Sequence, residues 1–134
     1  MGCFRSSIRS NNVSYSVLIV DDSAFSRRML KKAFPEKWEV TIMEASNGKE
    51  ALTALESRKF DIMFLDLTMP ELDGFGVLEA LKKRADISCK IFVVSADIQP
   101  KAKQLCKDLG ALAFLPKPLD KEILQTKLKQ HGLL

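Results

Sequence analysis

Three aspartates, a serine and a lysine stand where short apolar runs stop. Asp21 and Asp22 follow residues 17–20, Asp66 follows residues 62–65, and Ser95 follows residues 91–94. Lys117 follows residues 112–115 and Pro116. Carboxylates brought together repel, and each raises the pKa of the others unless a cation holds them. A few hard oxygen ligands without histidine or thiolate suit Mg²⁺, which keeps several of its own waters. A nearby ammonium neutralises an added anion, and a hydroxyl donates to it. Such a set is suited to attaching a phosphoryl group to a carboxylate. An aspartate can be the nucleophile, with metal and lysine stabilising charge on the transferring group.

That chemistry needs the residues on one rim. Ile62-Met63-Phe64-Leu65 is too short for a helix and apolar throughout, which reads as a strand buried on both faces of a parallel sheet. Residues 17–20, 40–43, 91–94 and 112–115 are predicted strands of the same kind. Helices are predicted between them. Ser23 caps the first, with Phe25, Met29, Leu30, Ala33 and Phe34 on its apolar side and Pro35 beyond its end. Asn47 and Glu50 have capping-box spacing ahead of Ala51, Leu52 and Leu55. Thr68, Met69 and Pro70 break the pattern after Asp66, and Asp73-Gly74 turns the chain into a helix bearing Val77, Leu78 and Leu81. A fourth helix spans residues 100–110 with Gly110 as its C-terminal cap. Asp120 opens the last, with Ile123, Leu124 and Leu128.

Five strands alternating with five helices imply βαβ units and a doubly wound parallel sheet. All strands but the second end in a polar or charged residue, so Asp21, Asp22, Asp66, Ser95 and Lys117 share one rim. If the strand order is 2-1-3-4-5, the first and third strands flank the switch point and Asp22 neighbours Asp66.

The chain of 134 residues, 46% hydrophobic and 28% charged, suits one globular domain. No apolar run approaches the ~20 residues that span a bilayer, so no membrane insertion is expected. Cys3, Cys89 and Cys106 lack metal-ligand spacing and read as reduced thiols of a cytoplasmic protein. His131 is the only histidine. The net charge of +4 is spread over helical faces, among them Arg27, Arg28, Lys31 and Lys32 and again Lys101, Lys103 and Lys107. These read as solvated faces, not as a nucleic-acid groove reader. Gly2 with Ser6 fits a myristoylation pattern, with Cys3 as a second acyl site. Residues 1–15 read as a flexible lead-in and residues 16–134 as the domain.

VLIVDDS, FLDLTMPELDG, VVSA and FLPKP, in this order and at these intervals, resemble the receiver domain of two-component response regulators over roughly residues 16–131. The resemblance implies a flavodoxin-like five-stranded parallel sheet of order 2-1-3-4-5. It implies that Asp66 accepts a phosphoryl group from a sensor histidine kinase. Asp22, Asp66 and the Thr68 carbonyl would ligate Mg²⁺, with Asp21 acting mainly through water. Lys117 would pair with the phosphoryl oxygens, Ser95 would be the switch hydroxyl and Phe114 the aromatic switch. The Lys117-Pro118 bond would be cis. A downstream target would read the face of the fourth helix, fifth strand and fifth helix, and a partner phosphatase would reset it. Thr68 and Asp97 would set the phosphoryl lifetime. They stand where fast-cycling chemotaxis-type relatives often carry Asn and Glu or Gln.

Plainer readings stand beside these: Asp21-Asp22 as a capping pair, Ser95 as a strand end, Phe114 as core. Ile98, Leu105 and Ala113 are candidates for an exposed apolar surface or for burial. Leu112 and Ala113 replace the acidic pair that many DNA-binding regulators use to dimerise. The chain ends soon after the fifth helix, so a free-standing chemotaxis-type regulator is expected, with a receiver excised from a longer protein as the alternative. A phosphatase of the haloacid-dehalogenase type would need an acid where Thr68 stands.

Overall fold

The structure, a computed structural model, describes residues 14–97 and 99–134. The expected lead-in lies outside these up to residue 13. Its last residue, Tyr15, already belongs to the first strand. The elements in chain order are β1 (Tyr15–Val20), α1 (Ala24–Ala33), β2 (Val40–Ala45), α2 (Gly48–Ser57) and β3 (Ile62–Leu65). They continue as α3 (Gly74–Lys82), β4 (Lys90–Ser95), α4 (Pro100–Asp108), β5 (Ala113–Pro116) and α5 (Lys121–Gln130). All pairings are parallel and the strand order is β2-β1-β3-β4-β5, as the spacing of motifs predicts. β2 runs two residues past the expected end, because Glu44 and Ala45 go on pairing with Ile19 and Val20 of β1.

Side chains alternate across the central strands and so build two cores. Leu18, Val20, Met63, Leu65 and Val93 face α2 and α3, where Ala51, Leu55, Val77 and Leu78 meet them, and Cys106 of α4 joins the same cluster. Val17, Ile19, Ile62, Phe64 and Phe92 face the other way, against Leu30 and Ala33 of α1 and Leu124 and Leu128 of α5. Each fully buried side chain of this size contributes roughly 1.5–3 kcal/mol, so the central strands are fixed in place by burial on both faces. His131 packs edge-on against Phe92 in the second core. Cys89 and Cys106 are both free, and burial pushes the Cys89 thiol up to about 11. No helix among the described residues is long and apolar enough to cross a membrane.

The expected caps form. Ser23 accepts from the Ser26 amide at 3.2 Å, and Asp73 and Asp120 cap α3 and α5. Asn47 accepts from the Glu50 amide at 2.8 Å, but Glu50 reaches back to the Ser46 amide and hydroxyl, one residue before the expected box partner. Two apolar positions expected in the core are not there: Phe25 is 65% and Met29 44% exposed. α1 buries Leu30 and Ala33 instead, a face rotated away from them. Ile123 is likewise exposed, and Leu124 and Leu128 carry the packing of α5.

The loop from β3 to α3 folds back on its own strand. The Gly74 amide donates to the Leu67 carbonyl at 3.1 Å. A Cβ at Gly74 would lie 2.8 Å from the Leu67 Cα and closer still to the Asp66 carbonyl oxygen. Both obstacles are backbone, so neither can swing aside. Gly74→Ala is expected to cost roughly 2 kcal/mol, the scale of overpacking a tight site. For a chain of this size that lowers the thermal midpoint by roughly 6–8 °C. A calorimetric scan showing no shift would contradict the close approach.

Candidate functional site

Strand register assembles the rim. Val20 pairs with Leu65, so the residues that follow, Asp21 and Asp66, lie side by side. The Asp66 amide donates to the Val20 carbonyl at 2.9 Å, and the Asp21 amide to the Ala45 carbonyl at 3.1 Å. On the far side Ser95 pairs with Pro116, and the Lys117 amide donates to the Ser95 carbonyl at 2.9 Å. Asp21, Asp22 and Asp66 thereby present oxygens within 4.8 Å of one another. Asp21 and Asp66 are each only 6% exposed, whereas Asp22 is exposed.

Lys117 spans the pair. Its Nζ donates to Asp21 Oδ2 at 2.9 Å and to Asp66 Oδ1 at 3.3 Å. Burial, and after it the Asp21 charge, push Asp66 above the usual carboxylate range, against the pull of Lys117. Burial alone would lower Lys117, but hydrogen bonds and charge from Asp21 and Asp66 outweigh it, and the ammonium is held above its ordinary value. Three carboxylates thus face one ammonium. The uncompensated charge, the oxygen-only donor set and the absence of histidine or thiolate from the trio suit a hard divalent cation.

The other expected residues are placed as follows. Ser95 is buried at the end of β4, and its Oγ accepts from the Asp97 amide at 3.1 Å. The Asp97 carboxylate turns toward α4 and accepts from the Gln99 amide at 3.1 Å. Thr68 is exposed on the loop after Asp66. Phe114 is half-buried against the core on the α2–α3 side, with Lys103 Nζ 5.6 Å from its ring centre. The Lys117–Pro118 bond is cis, as the resemblance implies. Of the suggested apolar surface, Leu105 is exposed, Ala113 packs into the opposite core and Ile98 lies outside the described residues.

Arg27 departs from the reading as a solvated face. Its side chain is 16% exposed and tied to Glu44 and to the Asp21 backbone. The signal was its place one turn past the Asp21-Asp22 pair, but nothing in the helical periodicity separates it from Arg28.

Electrostatic crowding generates a stability prediction. A raised folded-state pKa means that ionised Asp66 destabilises the fold at neutral pH, and the penalty is relieved as pH falls through that raised value. Asp66→Asn removes the penalty and leaves Lys117 its shorter contact with Asp21. In chelator-treated buffer at pH 7 the variant should melt a few degrees above wild type. The gap should close as pH approaches the ordinary carboxylate range near 4. A lower midpoint than wild type at pH 7 would count against the crowding.

Comparison with known proteins points the same way. The chain is 39% identical over 102 residues to the chemotaxis protein CheY of Thermotoga maritima, covering 76% of this chain and 84% of that protein. It spans only 46% of the probable transcriptional regulator ycf27 of Porphyridium aerugineum, to which it is 29% identical. Among solved structures it superposes on the CheX-CheY-BeF3-Mg+2 complex of Borrelia burgdorferi with a TM-score of 0.79 at 28% identity, over 87% of this chain and 88% of that one. The model of the response regulator receiver domain matches residues 17–129. With the 2-1-3-4-5 sheet and its acidic rim already in place, that match over most of the chain makes it a member of the response regulator receiver domain family.

Proposed function

We propose that residues 16–134 form a phosphorylation-dependent signalling switch in which Asp66 is the phospho-acceptor. The observation that carries this reading is the Lys117 bridge to Asp21 and Asp66, which holds the buried Asp66 carboxylate at the end of the central strand beside a cation. Asp22, Asp66 and the Thr68 carbonyl would hold Mg²⁺, with Asp21 contributing through water because its own oxygens already serve Ser23 and Lys117. When bound, the cation offsets charge on the transferring phosphoryl oxygens.

A lone pair of the Asp66 carboxylate attacks the phosphorus of a phosphohistidine on a sensor kinase. The O–P bond forms as the P–N bond breaks, and its electron pair leaves on the imidazole nitrogen, which takes up a proton. Lys117 pairs with the new anion, a role its contact with Asp66 supports. The Ser95 hydroxyl then exchanges its contact with the Asp97 amide for one with the phosphoryl group. Phe114 moves behind it, shifting a pre-existing equilibrium on the α4–β5–α5 face that a downstream target reads. The Borrelia CheY solved with CheX supports a partner that resets or reads the switch. The chain covers 84% of the Thermotoga chemotaxis protein and 46% of the longer Porphyridium regulator, so the receiver reading holds for either arrangement.

Incubation with Mg²⁺ and acetyl phosphate should add one phosphoryl group to wild type and none to Asp66→Asn, read by intact-protein mass spectrometry. Equal labelling of the two would refute the assignment of Asp66.

The lifetime of that phosphoryl group follows from Thr68 and Asp97. Thr68 lacks an amide to orient water, and the Asp97 carboxylate is engaged with Gln99. Misplacing a reactant by about 1 Å costs on the order of 10²-fold in rate. Wild type should therefore lose phosphate more slowly than its Thr68→Asn, Asp97→Glu double variant. Equal decay in the same buffer, or a slower variant, would remove this account.

A further inference from the structure

We infer that Arg27, anchored by Glu44, is a positioning residue for the cation-binding turn: it fixes the peptide between Asp21 and Asp22 so that the Asp22 carboxylate meets a divalent cation. This rests on the reading of the acidic rim given above.

Every polar atom of Asp21 is engaged. Its amide donates to Ala45, its Oδ1 accepts from the Ser23 amide at 2.9 Å and its Oδ2 accepts from Lys117 at 2.9 Å. The remaining atom, the carbonyl oxygen, accepts from Arg27 Nη1 at 2.5 Å. Asp22 is the opposite case. It is exposed, and no hydrogen bond or ion pair among the described residues restrains its carboxylate. Its placement therefore comes from the backbone. A peptide unit is planar and carries the next Cα in its plane. Fixing the Asp21 carbonyl thus fixes where the Asp22 side chain starts.

Arg27 is suited to this because its fork makes two bonds at once. While Nη1 holds the Asp21 carbonyl, Nε donates to Glu44 Oε1 at 2.6 Å. Glu44 in turn accepts from Lys31 Nζ on Oε2 at 2.8 Å. Glu44 lies near the end of β2, paired in register with Ile19 of β1. The chain of contacts therefore ties helix α1 and strand β2 to the turn that joins β1 to α1.

The sign of one measurement separates positioning from charge. As a bare cation near the rim, Arg27 repels Mg²⁺, and removing it would tighten binding. As a positioning residue its removal loosens binding, and outer partners of metal ligands typically contribute 10–100-fold in affinity. Mg²⁺ affinity measured by calorimetry at fixed ionic strength should fall about tenfold in Arg27→Gln and by a smaller factor in Glu44→Gln. Asp22→Ala serves as the control for the site itself. If wild type binds Mg²⁺ and Asp22→Ala weakens it, unchanged or tighter binding in a cooperatively folded Arg27→Gln overturns the inference. Should Arg27→Gln fail to fold, unchanged binding in Glu44→Gln does the same. If wild type and Asp22→Ala bind alike, the acidic-rim reading falls, and this inference with it.

Discussion

Lys117 holds together two carboxylates that burial and mutual repulsion would otherwise drive apart. Its 2.9 Å and 3.3 Å contacts cross from β5 to the ends of β1 and β3, so one ammonium spans the sheet's switch point. The bridge answers only part of the charge, since Asp22 adds a third carboxylate at the same rim. Much else in the fold follows from keeping that deficit in place. Buried strands on both faces hold the register, Gly74 lets the next loop close over Asp66, and the Ser23 and Asp73 caps start two helices beside the site.

The same arrangement explains why the site is both strained and specific. A cluster of carboxylates in a partly desolvated rim lowers stability, and its oxygen donors suit a small hard cation. In the proposed reaction Lys117 would meet the phosphoryl anion by giving up the longer of its two contacts, the one to Asp66. The buried Ser95 hydroxyl sits one residue pair from Lys117 and touches the loop that leads into α4. In the proposed switch, this hydroxyl is the link between the phosphoryl group and the start of α4.

The architecture and the rim were legible because short apolar runs that stop at acids have few alternatives in a parallel sheet. Register then converts position in a run into proximity: the assumed order put Asp22 next to Asp66, and the register Val20 to Leu65 sets Asp21 directly beside it with Asp22 in the same cluster. Side-chain direction on helices was less legible. Phe25 and Met29 share helical spacing with Leu30 and Ala33, yet they line a cleft beside Lys117, Pro118 and Leu119 instead of the core. Arg27 could not be told from Arg28, because a half-buried, paired cation differs from a solvated one only in its partners, and Glu44 comes from strand β2. Ala113 stood open between surface and burial, and it packs, partly buried, against the core on the α1–α5 side.

The central claim is that the rim is one cation short and that the cation binds between the ends of β1 and β3. Backbone amide chemical shifts followed by ¹H–¹⁵N NMR during a Mg²⁺ titration test it directly. The account predicts saturable shifts concentrated at residues 21–23, 66–68, 95–97 and 117, with the opposite rim near Arg58, Lys83 and Lys107 unmoved. Shifts centred on that opposite rim, or none at the strand ends at saturating Mg²⁺, would contradict it.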